Sequence, residues 1–173
     1  MPDRVSLELI VLPWLAFAAI LDLRHRSVPN WLTLPGLLGG TLYAAFSGKW
    51  ELALLVMLLV FTSDLPSYIG LGAGAALLTF FPLVTGNVEL TFTGVLMLAV
   101  FFLWRLGAIG GADAKVLLAL PLFFGSSVLL VVFVAGGLYG IAAFVLHKKS
   151  IPYVVPIFLG TSLYFLIPSQ FLF

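Results

Sequence analysis

Two aspartates, Asp22 and Asp113, each lie where a long apolar run of the chain gives way to a short polar or glycine-rich stretch. Two carboxyl groups held a few ångströms apart cannot both ionise cheaply, so they share a proton. One then acts as general base on a water molecule, and the protonated one polarises a carbonyl group. The two residues therefore predict acid–base chemistry at a shared site, provided that the fold brings them together.

The same aspartates also have a structural interpretation. Asp22 could pair with Arg26, one helical turn later, and Asp113 could cap a helix that begins at Ala114. Spacing alone leaves both interpretations open. No other chemistry competes: the only histidines, His25 and His147, have no ligand-spaced partner, and the chain has no cysteine. We therefore expect neither a metal nor a cofactor.

The composition predicts a membrane protein. Of the 173 residues, 62% are hydrophobic and only 9% are charged, so no single aqueous core could bury the apolar side chains. We predict an all-α, polytopic helix bundle of roughly six to eight spans, forming one domain over residues 1–173. The net charge of +1 gives no indication of nucleic-acid binding. The apolar segments are 5–21, 31–46, 50–63, 66–84, 89–106, 114–124, 126–146 and 152–172.

Basic residues concentrate on the cytoplasmic side of short membrane loops. If the first segment ends on that side at Asp22, eight crossings leave only Arg4 and Lys49 outside, and both termini face outward. The basic residues placed inside are Arg24, Arg26, Arg105, Lys115, Lys148 and Lys149. The pattern therefore predicts that Asp22 and Asp113 lie at the same, cytoplasmic, membrane face.

The residues beside the aspartates are typical of structured turns. Pro29 fixes its own φ and disfavours helix at Val28, so a new helix is expected to begin near Asn30. Gly110 and Gly111 allow unusual backbone shapes and leave room for another chain to approach closely. The backbone of a substrate is one candidate occupant of that space.

Three stretches resemble the type IV prepilin and archaeal preflagellin (archaellin) peptidases, membrane aspartyl proteases with a Gly-x-Gly-Asp motif. The first begins Asp22-Leu-Arg-His-Arg-Ser-Val-Pro-Asn30, and the second is Gly110-Gly-Ala-Asp113-Ala-Lys115. The third is Lys149-Ser-Ile-Pro-Tyr-Val-Val-Pro156. Their order and spacing also resemble the family. The resemblance implies that Asp22 and Asp113 are the catalytic aspartates.

The chain departs from the family pattern at Ala112, where the family has Gly. Alanine restricts positive φ and adds a methyl group, and we interpret Gly-Gly-Ala-Asp as a tolerated variant. The resemblance implies an endopeptidase that removes the basic leader of type IV pilin-like or archaellin precursors at the cytoplasmic face. Some bacterial relatives also methylate the new N-terminus with a cysteine-containing domain, and we expect this chain to be a peptidase only. Its compact form favours an archaeal enzyme.

Two further charged residues carry hypotheses. Lys115 could lower the pKa of Asp113 or steer the substrate, or it could simply be an interfacial basic residue. Asp64 could contact a basic leader, although Ser63-Asp64-Leu65-Pro66 is also an ordinary turn sequence. The partners expected from the resemblance are a protein substrate and the lipid bilayer.

Two other kinds of protein fit part of the pattern. Presenilin-like proteases also use a Gly-x-Gly-Asp motif, but their first aspartate lies within a span, whereas Asp22 is expected to open a loop containing Arg24, Arg26 and Pro29. A small proton- or cation-coupled transporter needs both aspartates near mid-membrane on broken helices. The neighbouring basic residues instead indicate a position at the membrane rim.

Overall fold

The structure is a computed structural model that describes residues 4–147 and 152–167. Within these residues the chain is all-α, as predicted, with eight helices and no strand. The helices are α1 (Arg4–His25), α2 (Asn30–Phe46), α3 (Trp50–Phe61), α4 (Ser67–Thr85), α5 (Val88–Arg105), α6 (Gly111–Phe124), α7 (Ser126–Val145) and α8 (Val154–Leu166). Each corresponds to one predicted apolar segment. The last part of segment 152–172 and the start of the third motif, residues 149–151, lie outside the described residues.

Two helices extend further toward the polar loops than predicted. α1 continues to His25, since basic side chains in its last turn are favourable at a helix C-terminus. α6 begins at Gly111, before the predicted segment 114–124, since an acidic side chain is favourable in the first turn. Asp22 and Asp113 therefore lie in helical turns. The expectation that Asp22 opens a loop is wrong.

Among the residues that the structure describes, three helices are long and apolar enough to cross a membrane: Ser6–His25 within α1, Val88–Arg105, which is α5, and Ser126–Ala143 within α7. The apolar helices α3 and α8 are shorter, at 12 and 13 residues. Large apolar side chains also point outward, and Leu138 and Ile141 of α7 are 65% and 64% exposed. An extended apolar surface of this kind is typical of contact with hydrocarbon.

The helices pack around a main core to which α1, α3, α5 and α6 contribute the fully buried Leu15, Leu55, Met97 and Leu120. The most extensive helix pairs are α7 with α8, α2 with α6, and α1 with α8. A smaller apolar cluster consists of Ala18, Ala19, Val28, Leu32 and Val154. This smaller cluster joins the end of α1 to the beginnings of α2 and α8. It thereby positions the turn that carries Asp22.

Candidate active site

One end of the bundle is formed by the C-terminus of α1 and the N-termini of α2, α6 and α8, and we call it the site end. Asp22 lies there in the last turn of α1 and is only 7% exposed. Its Oδ2 accepts a hydrogen bond of 3.0 Å from the backbone N–H of Val154, the first residue of α8. A helix N-terminus favours negative charge. The start of α8 therefore orients the Asp22 carboxylate.

Arg26 does not use its side chain for the pairing with Asp22 that spacing allowed. The backbone N–H of Arg26 donates to the backbone oxygen of Asp22 at 2.8 Å, and Arg26 has a φ of +51°. This left-handed residue ends α1. Pro29 then has extended backbone, with φ −70° and ψ 149°, and α2 begins at Asn30 as predicted. Arg24 and Arg26 are both exposed.

Asp113 lies in the first turn of α6 and is 9% exposed. Its Oδ2 accepts a hydrogen bond of 3.2 Å from the N–H of Gly110. Asp113 thus does not precede a helix that begins at Ala114, as spacing allowed, but caps α6 from within its first turn. A Cβ atom at Gly110 would lie 2.8 Å from the same oxygen. A side chain at residue 110 would therefore displace the Asp113 carboxylate from its position at the helix start.

The two aspartates are close enough to interact electrostatically. Burial, and after it the charge of Asp22, raise the pKa of Asp113 from 3.8 to about 6, while the hydrogen bond from Gly110 opposes the shift. Asp113 lies at the site end, outside the three helices that can span a membrane. A carboxyl group with such a pKa can hold a proton beside an ionised neighbour. The arrangement is therefore suited to general acid–base chemistry.

Ala112, where the motif departs from the resembled family, is accommodated without strain. It lies inside α6 and is not among the residues with positive φ, so glycine is not needed there for conformation. Its methyl group packs against the smaller apolar cluster. The variant residue thus joins the start of α6 to the end of α1.

A hydrogen bond connects the first two motifs. The Lys115 Nζ donates to the Asn30 Oδ1 at 2.6 Å, joining the start of α6 to that of α2. The pKa of Asp113 is shifted upward by burial and by Asp22, which is opposite to the effect proposed for the Lys115 charge. The contact with Asn30 instead indicates that Lys115 positions the two helix starts.

Arg105 has a structural role that its position in the sequence did not indicate. Its guanidinium donates to the backbone oxygens of Ser63 and Leu65, the second at 2.9 Å. These two contacts hold the turn that presents the exposed Asp64. The only sequence signal was an arginine at the end of an apolar segment, and it did not indicate which carbonyl groups Arg105 would bind.

Asp113 also forms part of the wall of an apolar groove. The groove has a volume of about 170 Å³ and is partly open to the surroundings. We call it the Asp113 groove. Its lining residues are Leu103, Ile109, Asp113, Leu117, Val132, Phe133, Gly136, Gly137, Tyr153, Pro156 and Ile157.

Fold and site together define a helical membrane protein with a buried pair of interacting carboxyl groups. The chain belongs to the type IV leader peptidase family, whose model matches residues 9–155. The resemblance noted in the sequence is thereby confirmed, and the matched region contains both aspartates and the start of α8. No curated protein and no solved structure matches the chain. Its class is that of aspartic peptidases of the leader peptidase kind, which act on protein substrates.

Proposed function

We propose that Asp22 and Asp113 are the catalytic pair of a peptidase that removes the basic leader from type IV pilin-like or archaellin precursors at the cytoplasmic membrane face. The observation that carries the proposal is the different environment of the two carboxyl groups. The N–H of Val154 points at Asp22, whereas burial and Asp22 itself raise the pKa of Asp113. These surroundings suit Asp113 to donate a proton and Asp22 to accept one.

The proposed reaction uses this difference. Asp22 removes a proton from a water molecule as the water oxygen attacks the scissile carbonyl carbon, and the Asp113 proton moves to the carbonyl oxygen. The resulting tetrahedral diol then collapses: the C–N bond breaks, the leaving nitrogen receives the proton held by Asp22, and Asp113 recovers its own from a diol hydroxyl. The products are a carboxyl group on the leader and an amino group on the shortened protein. One water molecule is consumed.

A panel of purified precursors tests the substrate class. We expect the chain in detergent to cut a pilin-like or archaellin precursor at the boundary between its basic leader and its hydrophobic segment. The products are identified by intact mass, and the matched control is the same precursor with its leader lysines and arginines replaced by glutamine. If every precursor in the panel stays whole while the enzyme is folded, the proposed substrate class is wrong.

The cytoplasmic orientation is supported by the basic residues. Among the residues that the structure describes, Arg24, Arg26, Arg105 and Lys115 lie at or beside the site end, whereas Lys49 lies between α2 and α3, at their other ends. An excess of basic residues favours the cytoplasmic side. The same asymmetry supports the proposal that the leader-cleaving pair lies at that face.

Thiol labelling tests this orientation, since the chain has no cysteine of its own. We expect Ser27→Cys, in the exposed turn after α1, to react with a membrane-impermeant maleimide in inverted vesicles and not in right-side-out ones. Ser47→Cys, at the far end of α2, is the matched control and should show the reverse pattern. Labelling of Ser27→Cys from the outer side would contradict the orientation.

A further inference from the structure

The Asp113 groove runs from the catalytic carboxyl group into the body of the bundle. Its walls come from the last turn of α5, the first two turns of α6, the middle of α7 and the first turn of α8. Apart from Asp113 and the phenol of Tyr153, the side chains that line it are apolar. A chain segment that reaches Asp113 through this groove must therefore be apolar itself, since a charged segment would lose its hydration without gaining partners.

Two glycines of α7 keep the groove open. A Cβ atom at Gly136 or at Gly137 would meet no described atom within 4 Å. At Gly160 of α8, by contrast, a Cβ atom would lie 2.7 Å from the Cα of Val132, and that glycine serves the packing of α8 on α7. Glycine is a poor helix former. Gly136 and Gly137 thus weaken α7 without allowing any closer contact among the described residues, and what they provide is open space along the wall of the groove.

We infer that the Asp113 groove binds the first apolar residues on the carboxyl side of the scissile bond, the beginning of the substrate's hydrophobic segment. This inference rests on the proposed function. A peptide bond held at Asp113 has a basic leader on one side and an apolar segment on the other, and only the apolar segment matches the groove lining. The groove also leads from the site end along α7, which is the direction that a membrane-inserted segment takes.

Filling the groove tests the inference. We expect Gly136→Leu and Gly137→Leu to lower kcat/KM for the precursor by tenfold or more, mainly through KM, because the new side chain occupies the space of the substrate. Leucine is the better helix former, so α7 should stay folded. Gly39→Leu in α2 and Gly72→Leu in α4 are the matched controls, since a Cβ atom at either also meets no atom within 4 Å, and neither residue lines the groove.

A compensating change in the substrate separates loss of binding from loss of fold. Precursors with alanine at the first positions after the cleavage site should be cut by Gly137→Leu several-fold better than the unmodified precursor. The parent enzyme should show no such preference. If both leucine variants cut the unmodified precursor as fast as the parent does, the inference is overturned, and the groove holds lipid instead.

Disulfide trapping gives a readout that does not depend on turnover. Gly137→Cys introduces the only thiol of a chain that has no cysteine, and adding Asp22→Asn keeps the precursor uncut. We expect oxidation to form a disulfide between the thiol introduced by Gly137→Cys and a precursor cysteine within the first two turns after the cleavage site. A precursor cysteine in the leader should form no such disulfide. Gly39→Cys is the control. Trapping at leader positions alone would contradict the inference, whereas a parent enzyme that cuts no precursor would contradict the proposed function itself.

Discussion

We expect Asp22→Asn and Asp113→Asn each to reduce kcat/KM for leader cleavage by about 10²- to 10⁴-fold, the range typical of the loss of a general acid or base. Asparagine keeps the size of the side chain and can still accept the hydrogen bond from Val154 or from Gly110. It cannot take a proton from water or give one to the carbonyl oxygen. The measurement is the initial rate of precursor cleavage by purified enzyme in detergent.

The double variant distinguishes a catalytic pair from two independent residues. Because both aspartates are proposed to act in the same step, Asp22→Asn combined with Asp113→Asn should be hardly slower than either single variant. Glu89→Gln is a suitable control, since Glu89 lies in the first turn of α5, remote from the site end. Cleavage at the parent rate by either single variant would exclude the residue concerned from the proposed chemistry.

Stability measurements show whether the asparagine variants are folded. The pKa of Asp113 is raised in the folded chain to about 6, so between pH 3.8 and 6 the folded state binds more protons than the unfolded state. The free energy of unfolding therefore falls as pH rises through this window. Asp113→Asn has no carboxyl group to ionise at this position. It therefore avoids this fall in the free energy of unfolding, which is at most about 3 kcal/mol in the parent. We expect its thermal midpoint at pH 7.5 to equal or exceed that of the parent, and the difference to shrink toward pH 4.

Gly110→Ala should lower kcat/KM by about 10²-fold, the loss typical of a catalytic group displaced by about 1 Å. The new Cβ atom would lie 2.8 Å from the Oδ2 of Asp113 and force that carboxyl group away from the N–H of residue 110. Backbone strain is not the cause, since Gly110 has a φ of −70° that alanine readily adopts. The midpoint of thermal unfolding should fall only slightly, because what is lost is one capping hydrogen bond, worth roughly 1 kcal/mol.

Two neighbouring substitutions serve as controls for Gly110→Ala. A Cβ atom at Gly111 would lie 3.3 Å from the Nε1 of Trp104, so Gly111→Ala needs only a small shift of that ring and should keep most of the activity. Ala112→Gly restores the glycine of the family motif and removes a methyl group from the smaller apolar cluster. It should leave the cleavage rate within a few-fold of the parent. A fully active Gly110→Ala would show that the position of the Asp113 carboxyl group is not limiting.

Much of the fold follows from local patterns in the chain. Apolar runs separated by Pro29, by glycines and by short polar stretches predicted eight segments, and each became a helix in the part of the chain that the structure describes. Helix formation depends mainly on residues within a few positions of one another, and Pro29 acts on its own neighbours. The helix ends were less predictable. α1 continues past Asp22, and α6 begins before it reaches Asp113, because the stabilising end charges and caps act across single turns.

The candidate catalytic residues were also available from the sequence, because carboxyl groups are rare in so apolar a chain and the motifs around them resemble a known family. The surroundings of these two aspartates could not be predicted from the sequence. The Asp22 oxygen meets the N–H of Val154 across 132 positions, and Lys115 meets Asn30 across 85. Contacts between such distant positions depend on how α1, α2, α6 and α8 pack, and local preference carries no information about packing partners. The raised pKa of Asp113 and the groove that leads away from it are consequences of that packing, so only the tertiary structure revealed them.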